Sequence, residues 1–330
     1  MSDFLKDMNV LTVNSAVKFC QKFVLFDIKS SQIRLSNIEE APRITKMNQK
    51  IAIAVVHGIG LANREWQDPA SKKFISGMAK PLVSEFARLR GETFQAAESK
   101  LVIKPIYWAE VVQELSDDLS DRLNLDSLNN PFKLRDFVFH YLGDAIAYST
   151  PGDKKVNQGI HKIFSETLEK LATEAGEKAP LCIISHSLGA VIASDYIWDL
   201  QHDKSIVDIG NTPLEKGETL NLFYTLGTQI PLWSMSYDNY GKPIEMPSPQ
   251  LGNHYPELTG EWINFFDEDD VLGYPLQNIN DDYSKVVVDK QVNAGNIFSS
   301  WSPLSHNGYW KDDEVIEPIA QALVKTWESL

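Results

Sequence analysis

Cysteine is almost missing. In 330 residues only Cys20 and Cys182 occur, far apart and in apolar settings, which argues against a disulfide framework or a thiolate metal site and for a reducing compartment. Basic charge is also short: 31 Lys and Arg stand against 45 Asp and Glu, a formal charge of −14. Such a surface repels phosphate backbones and anionic headgroups, so nucleic acid is not an expected partner. No apolar run approaches the roughly 18–20 residues that span a bilayer, and Met1 to Asp7 carry acid where a signal peptide carries base. A cytoplasmic location is expected by default, although an effector exported in the folded state would have the same composition. No H-E-x-x-H, paired C-x-x-C or EF-hand spacing is present, so neither a metal nor another cofactor is expected.

With 43% hydrophobic and 23% charged residues, the chain has the balance of a globular protein. Residues 1–48 differ from the rest: Val13, Ala16, Val17, Cys20, Phe23 and Val24 recur at helical spacing before Ser30, Ser31 and Pro42 break the pattern. They read as a helical extension and linker ahead of a domain over 49–330.

From Ile51 onward, short apolar runs alternate with helical stretches. Ile51 to Val56, Leu101 to Tyr107, Leu181 to Ile184, Leu220 to Leu226, Trp262 to Phe266 and Val286 to Val288 are the expected strands. Several are apolar at consecutive positions, as strands buried on both faces are. Between them Met78, Leu82, Phe86 and Leu89 mark one helix face, and Val315, Ile316, Ile319, Leu323 and Trp327 mark the face of the last helix, whose first turn is expected to hold Pro318. The alternation predicts an α/β fold with a mostly parallel, doubly wound sheet. Residues 109–180 and 229–260 are too long for simple connections and are expected to be helical and loop insertions over the site.

The sharpest local signal is Ser185-His186-Ser187-Leu188-Gly189, directly after the apolar run LCII and before Ala190, Val191, Ile192 and Ala193. A serine between strand and helix sits on a strained turn that exposes its hydroxyl, and small residues two positions to either side let the turn close. Ser187 is therefore the candidate nucleophile, against the plainer role of capping the helix. His57-Gly58-Ile59-Gly60 follows the strand at Ile51 to Val56. Acyl transfer needs two N–H donors aimed at a developing oxyanion, and Ile59 with Leu188 would provide them. A dinucleotide fingerprint is the rival, but Asn63 stands where its third glycine would be.

Of 7 histidines, His306 stands in the loop Ser305-His306-Asn307-Gly308-Tyr309-Trp310, after the last strand and before the last helix. There it can reach across the strand ends as the base, whereas His186, inside the turn, is expected to point away. The acid that orients the base is expected in Asp267-Glu268-Asp269-Asp270, at the end of the strand Trp262 to Phe266. Asp270 is preferred as the last acid before the chain turns apolar, with Asp267 its competitor and Asp269 a lesser one.

In these residues the chain resembles the α/β-hydrolase superfamily, specifically its lipase- and esterase-like serine hydrolases with an H-G-x-G oxyanion loop. The resemblance covers residues 51–330 in element order, with Ser185 in place of the first glycine of G-x-S-x-G and no strand evident before Ile51. It implies Ser187, His306 and an acid of the Asp267–Asp270 turn acting without a cofactor. The expected reaction is cleavage of a carboxylic ester, possible substrates being lipid-like or medium-chain acyl esters held by Trp233, Tyr237, Tyr240, His254, Tyr255, Phe137 and Tyr141. A thioesterase or acyltransferase would use the same acyl-enzyme, and a non-catalytic binding module on this scaffold is the alternative from another class. The sequence leaves the oligomeric state open.

Overall fold

The computed structural model describes residues 49–58, 75–128, 134–149, 155–294 and 305–330. The helical extension expected over 1–48 therefore lies outside the described residues. Among the described residues six strands form one sheet: β1 (Ile51–Val56), β2 (Leu101–Ile106), β3 (Leu181–His186), β4 (Leu220–Leu226), β5 (Glu261–Phe266) and β6 (Val288–Gln291). All pairs are parallel and the order is β2-β1-β3-β4-β5-β6.

Six helices of eleven residues or more accompany it among the described residues: α1 (Lys80–Arg90), α2 (Glu110–Arg122), α3 (Leu134–Ser149), α4 (Lys155–Ala175), α5 (Leu188–Gln201) and α6 (Asp313–Glu328). Because side chains alternate along a strand, β1 and β3 feed two cores. Ala52, Ala54, Leu181 and Ile183 pack with Ile160, Phe164 and Leu168 of α4 and Val191 and Ile192 of α5. Ile51, Ile53, Cys182 and Ile184 pack on the opposite face with Leu82 and Phe86 of α1 and Val315, Ile319 and Leu323 of α6. Helices on both faces are what made these strands apolar at consecutive positions.

Two local expectations are corrected. Val286 ends a short helix, Asp281–Val286, and the strand begins only at Val288. Asn280 caps that helix through its side chain, which accepts from Asp282 and Tyr283 N–H, and the cap outweighs the β-propensity of the valines. β6 is an edge strand with Val288 59% exposed, so an apolar run was the wrong signal for it. Pro318 is the sixth residue of α6 and not in its first turn. Proline cannot donate to the Glu314 carbonyl one turn back, and Lys290 Nζ donates to that oxygen instead, at 3.2 Å.

Candidate active site

β3 ends at His186 and α5 starts at Leu188, so Ser187 alone turns the chain at the carboxyl ends of the strands. Its φ of 58° and ψ of −131° are costly for a residue with a Cβ and persist only where the surroundings over-determine them. They do here. Ser187 N–H donates to the Leu226 carbonyl at 3.0 Å. A Cβ on Gly189 would fall on the His57 carbonyl oxygen, and one on Gly58 would lie 2.6 Å from Ser187 Cβ and 2.7 Å from His186 Nδ1. Ser185 fits the slot usually held by glycine because its hydroxyl donates to the Tyr224 carbonyl at 2.9 Å. The His57 ring stacks on Trp108 at 5.0 Å, and its carbonyl accepts from Trp108 Nε1 at 2.8 Å, which anchors the chain leaving β1. Leu188, the first residue of α5, has an N–H with no carbonyl of its own helix to bond. Ile59 lies outside the described residues.

Asp270 and His306 meet directly: His306 Nδ1 donates to Asp270 Oδ2 at 2.8 Å, and both side chains are buried. The same oxygen accepts from Tyr309 Oη at 2.9 Å, while Oδ1 accepts from Leu272 N–H at 3.0 Å. Burial pushes the Asp270 carboxyl up, but the bond and charge of His306 with the Leu272 and Tyr309 donors outweigh it and hold the group below its ordinary value. Tyr309 Oη also accepts from Asp267 N–H at 3.0 Å, so one phenol fixes both ends of the acidic turn. Asp267 Oδ1 accepts from Asp269 N–H at 2.9 Å, and Glu268 and Asp269 are exposed.

Two contacts tie Ser187 to this pair. Gln229, fully buried just past β4, donates through Nε2 to Ser187 Oγ at 2.9 Å and to the Leu272 carbonyl at 3.3 Å. His186 does not merely point away: its Nε2 donates to the His306 backbone carbonyl at 2.6 Å and its ring lies 4.6 Å from the His306 ring. Burial and neighbouring His306 lower His186 to about 3, and burial lowers His57 to about 4, so both rings are neutral. His306 Nε2 is buried and has no hydrogen-bond partner among the described residues. Gln229, Tyr309 and the contact made by His186 had no sequence signal that assigned them a part. Tyr309 stood inside the SHNGYW loop, and only its distance in space to Asp270 gives it a task.

The expected pocket residues are not assembled around Ser187. Trp233 and Tyr237 line a cavity of about 720 Å³ beside α5, whose walls include Val191 and Ile230 but not Ser187, Asp270 or His306. His254 is at the other end of the sheet, where its Nε2 meets Glu218 Oε2 at 2.8 Å, and Tyr255 Oη donates to the Lys178 carbonyl. Both partners precede the strands they lead into, so these side chains serve the amino ends. The side chains of Phe137 and Tyr141 lie outside the described residues.

An all-parallel α/β sheet with a strained serine between a central strand and its helix is an α/β-hydrolase-type fold. No known sequence family matches the chain, and no curated protein is similar to it in sequence. Among solved structures it is similar to an esterase from Pyrobaculum calidifontis, with 10% identity over 84% of this chain and 77% of that chain and a TM-score of 0.36. It is similar to an esterase from Rhizomucor miehei, with 11% identity, 86% and 77% coverage and a TM-score of 0.36. Est1E from Butyrivibrio proteoclasticus is similar at 9% identity, 86% and 89% coverage and a TM-score of 0.35. Among the described residues no helix is long and apolar enough to cross a membrane.

Proposed function

We propose that the chain is a serine hydrolase of carboxylic esters, with Ser187 as nucleophile, His306 as base and Asp270 as the acid that orients it. The observation that carries this is the buried Asp270–His306 pair, which leaves one imidazole nitrogen, Nε2, without a hydrogen-bond partner among the described residues, together with a serine held at positive φ between strand and helix. Because Asp270 accepts the hydrogen bond from Nδ1–H, the neutral imidazole carries its lone pair on Nε2 and can accept a proton there. Ser187 Oγ attacks the acyl carbon as its proton passes to Nε2. That transfer requires a hydrogen bond between them that forms as substrate settles, as catalytic hydrogen bonds do.

The oxyanion is received by the Leu188 N–H at the positive end of α5, with Ile59 N–H as the second donor. His306 then protonates the leaving alcohol, and water activated by the same nitrogen releases the acid. A thiol leaving group, or an alcohol in place of water, would pass through the same acyl-enzyme, so product analysis with competing alcohols separates hydrolysis from transfer.

The test is a fluorophosphonate probe on the full chain and on Ser187→Ala, with the adduct mapped by peptide mass spectrometry. A stoichiometric adduct on Ser187 that vanishes in the variant is expected. A folded protein that takes no adduct, or takes it elsewhere, overturns the assignment and favours a binding module.

A further inference from the structure

Gln229 is a primary amide just past β4 and is 0% exposed. Its Nε2 carries two N–H groups and directs both at the site, one to Ser187 Oγ at 2.9 Å and the other to the Leu272 carbonyl at 3.3 Å. A carbonyl only accepts, which fixes the amide with its nitrogen toward Leu272 and the serine. Oε1 is buried and has no hydrogen-bond partner among the described residues. A buried acceptor left unpaired is costly, and an apolar side chain of similar volume would avoid that cost. Packing alone therefore gives no reason for an amide at this position, whereas the two contacts of Nε2 do.

The Leu272 contact puts Gln229 in a chain of bonds that runs from the nucleophile to the base behind the site. Leu272 receives Gln229 at its carbonyl and donates its own N–H to Asp270 Oδ1 at 3.0 Å, and Asp270 Oδ2 accepts from His306 Nδ1 at 2.8 Å. The backbone that carries this chain is closely packed. Gly227 N–H donates to the Phe265 carbonyl at 2.9 Å and Tyr274 N–H to the Thr228 carbonyl at 3.1 Å, and a Cβ on Gly273 would lie 3.0 Å from Gly227 Cα. The segment after β4 and the acidic turn after β5 are thus held against each other, and Gln229 ties the serine oxygen to both.

The amide also sets which way protons point. Nε2 can only donate, so Ser187 Oγ accepts there and keeps its own proton. Among the described residues that hydroxyl makes no other hydrogen bond. Asp270, held below its ordinary value by its bonds with His306, Leu272 and Tyr309, is ionised and can only accept from His306 Nδ1, which leaves the lone pair of the neutral imidazole on Nε2. A proton on Oγ and a lone pair on Nε2 therefore both stay uncommitted.

We propose that Gln229 is a positioning residue of the reaction: it holds Ser187 Oγ in place as an acceptor, so that the hydroxyl proton remains available to His306 Nε2. The proposal rests on the reading of Ser187 and His306 as nucleophile and base. It asks for no contact between Gln229 and substrate, so turnover depends on the amide and affinity does not.

The experiment compares the full chain with Gln229→Met, which keeps the volume but removes both donors and the unpaired oxygen. Fluorophosphonate labelling rates, kcat and KM for p-nitrophenyl esters, and thermal melts are measured. Labelling and kcat are expected to fall by about tenfold or more, with KM within about twofold and the melting temperature within about 3 °C of the parent. Should Gln229→Met not fold, Gln229→Asn, an amide one methylene too short to meet both acceptors, is expected to show the same split. Labelling and kcat within about twofold of the parent, or a raised KM at unchanged kcat, overturns the proposal. So does a melting temperature that collapses together with activity, since that marks a purely structural amide. If Ser187 of the parent is labelled and the variants label equally fast, only this proposal falls. If Ser187 of the parent takes no adduct, the serine-hydrolase reading falls and this proposal with it.

Discussion

Replacing Asp270 by Asn turns one carboxylate oxygen into NH₂, and the surroundings decide which of the two positions it takes. Leu272 N–H donates to Oδ1 at 3.0 Å, so the amide oxygen is kept there and the NH₂ takes the place of Oδ2. That group then faces His306 Nδ1 and Tyr309 Oη, which both donated to the carboxylate at 2.8 and 2.9 Å. An NH₂ cannot accept, so the imidazole must present a lone pair on Nδ1 and carry its proton on Nε2, where it can no longer take one from Ser187. The tautomer is wrong while the shape is unchanged, which predicts a fall in kcat of about 10⁴, close to 5.5 kcal/mol of barrier. Reversing a buried donor array costs about 1–3 kcal/mol of stability, which a thermal melt separates from the kinetic effect. Asp267→Asn retains an oxygen able to accept from Asp269 N–H at the site of the present 2.9 Å bond, so activity within about tenfold of the parent is expected. The assays are hydrolysis of p-nitrophenyl esters from acetate to octanoate and the rate of fluorophosphonate labelling. An Asp270→Asn variant within tenfold of the parent, or an Asp267→Asn variant that loses about 10³ or more, would refute the reasoning.

Gly189→Ala places a Cβ on the His57 carbonyl oxygen, which belongs to backbone and cannot swing aside; a loss of about 3 kcal/mol or more in urea unfolding, with slowed labelling of Ser187, is expected. His57 and His161 are lowered by burial to about 4, and His186, by burial and His306, to about 3, from a common ordinary value of 6.5. Their folded values lie below the unfolded one, so stability is full above pH 6.5 and falls as pH drops toward 4, by up to about 4 kcal/mol per pH unit. Urea midpoints at pH 7.5, 6 and 5 should decrease steeply, and equal midpoints at all three would mean these imidazoles are not desolvated.

The elements were legible where a short stretch carries its own physics. Ile51–Val56 and Leu220–Leu226 are apolar at every or nearly every position because helices cover both faces of the sheet, and Leu188–Gln201 begins with small residues because it lies close against β1 and β3. The turn at Ser187 declared itself in five residues for the same reason: strain and close approach restrict the neighbours as well as the serine. Edge strand β6 was misplaced because its exposed side chains carry no burial pattern, and Pro318 because a lysine from another element replaces its missing partner.

Partnerships across long stretches of chain belong to tertiary structure alone. Asp270 lies 36 residues from His306, Gln229 lies 42 from Ser187, and His186 lies 120 from the His306 carbonyl it holds. The apolar residues after Asp270 favoured it over Asp267 but left Asp267 a competitor; the bonds that His306 Nδ1 and the Tyr309 phenol make to the Asp270 carboxylate are set only in the folded chain. His254 shows the converse, since its place in an aromatic segment gave no hint that the chain carries it to Glu218 at the opposite end of the sheet. Periodicity and turn chemistry act over a few residues, so the sequence by itself determined the layers and the strained serine. The direction in which each polar side chain finds its partner depends on strand order and packing, which only the folded chain sets.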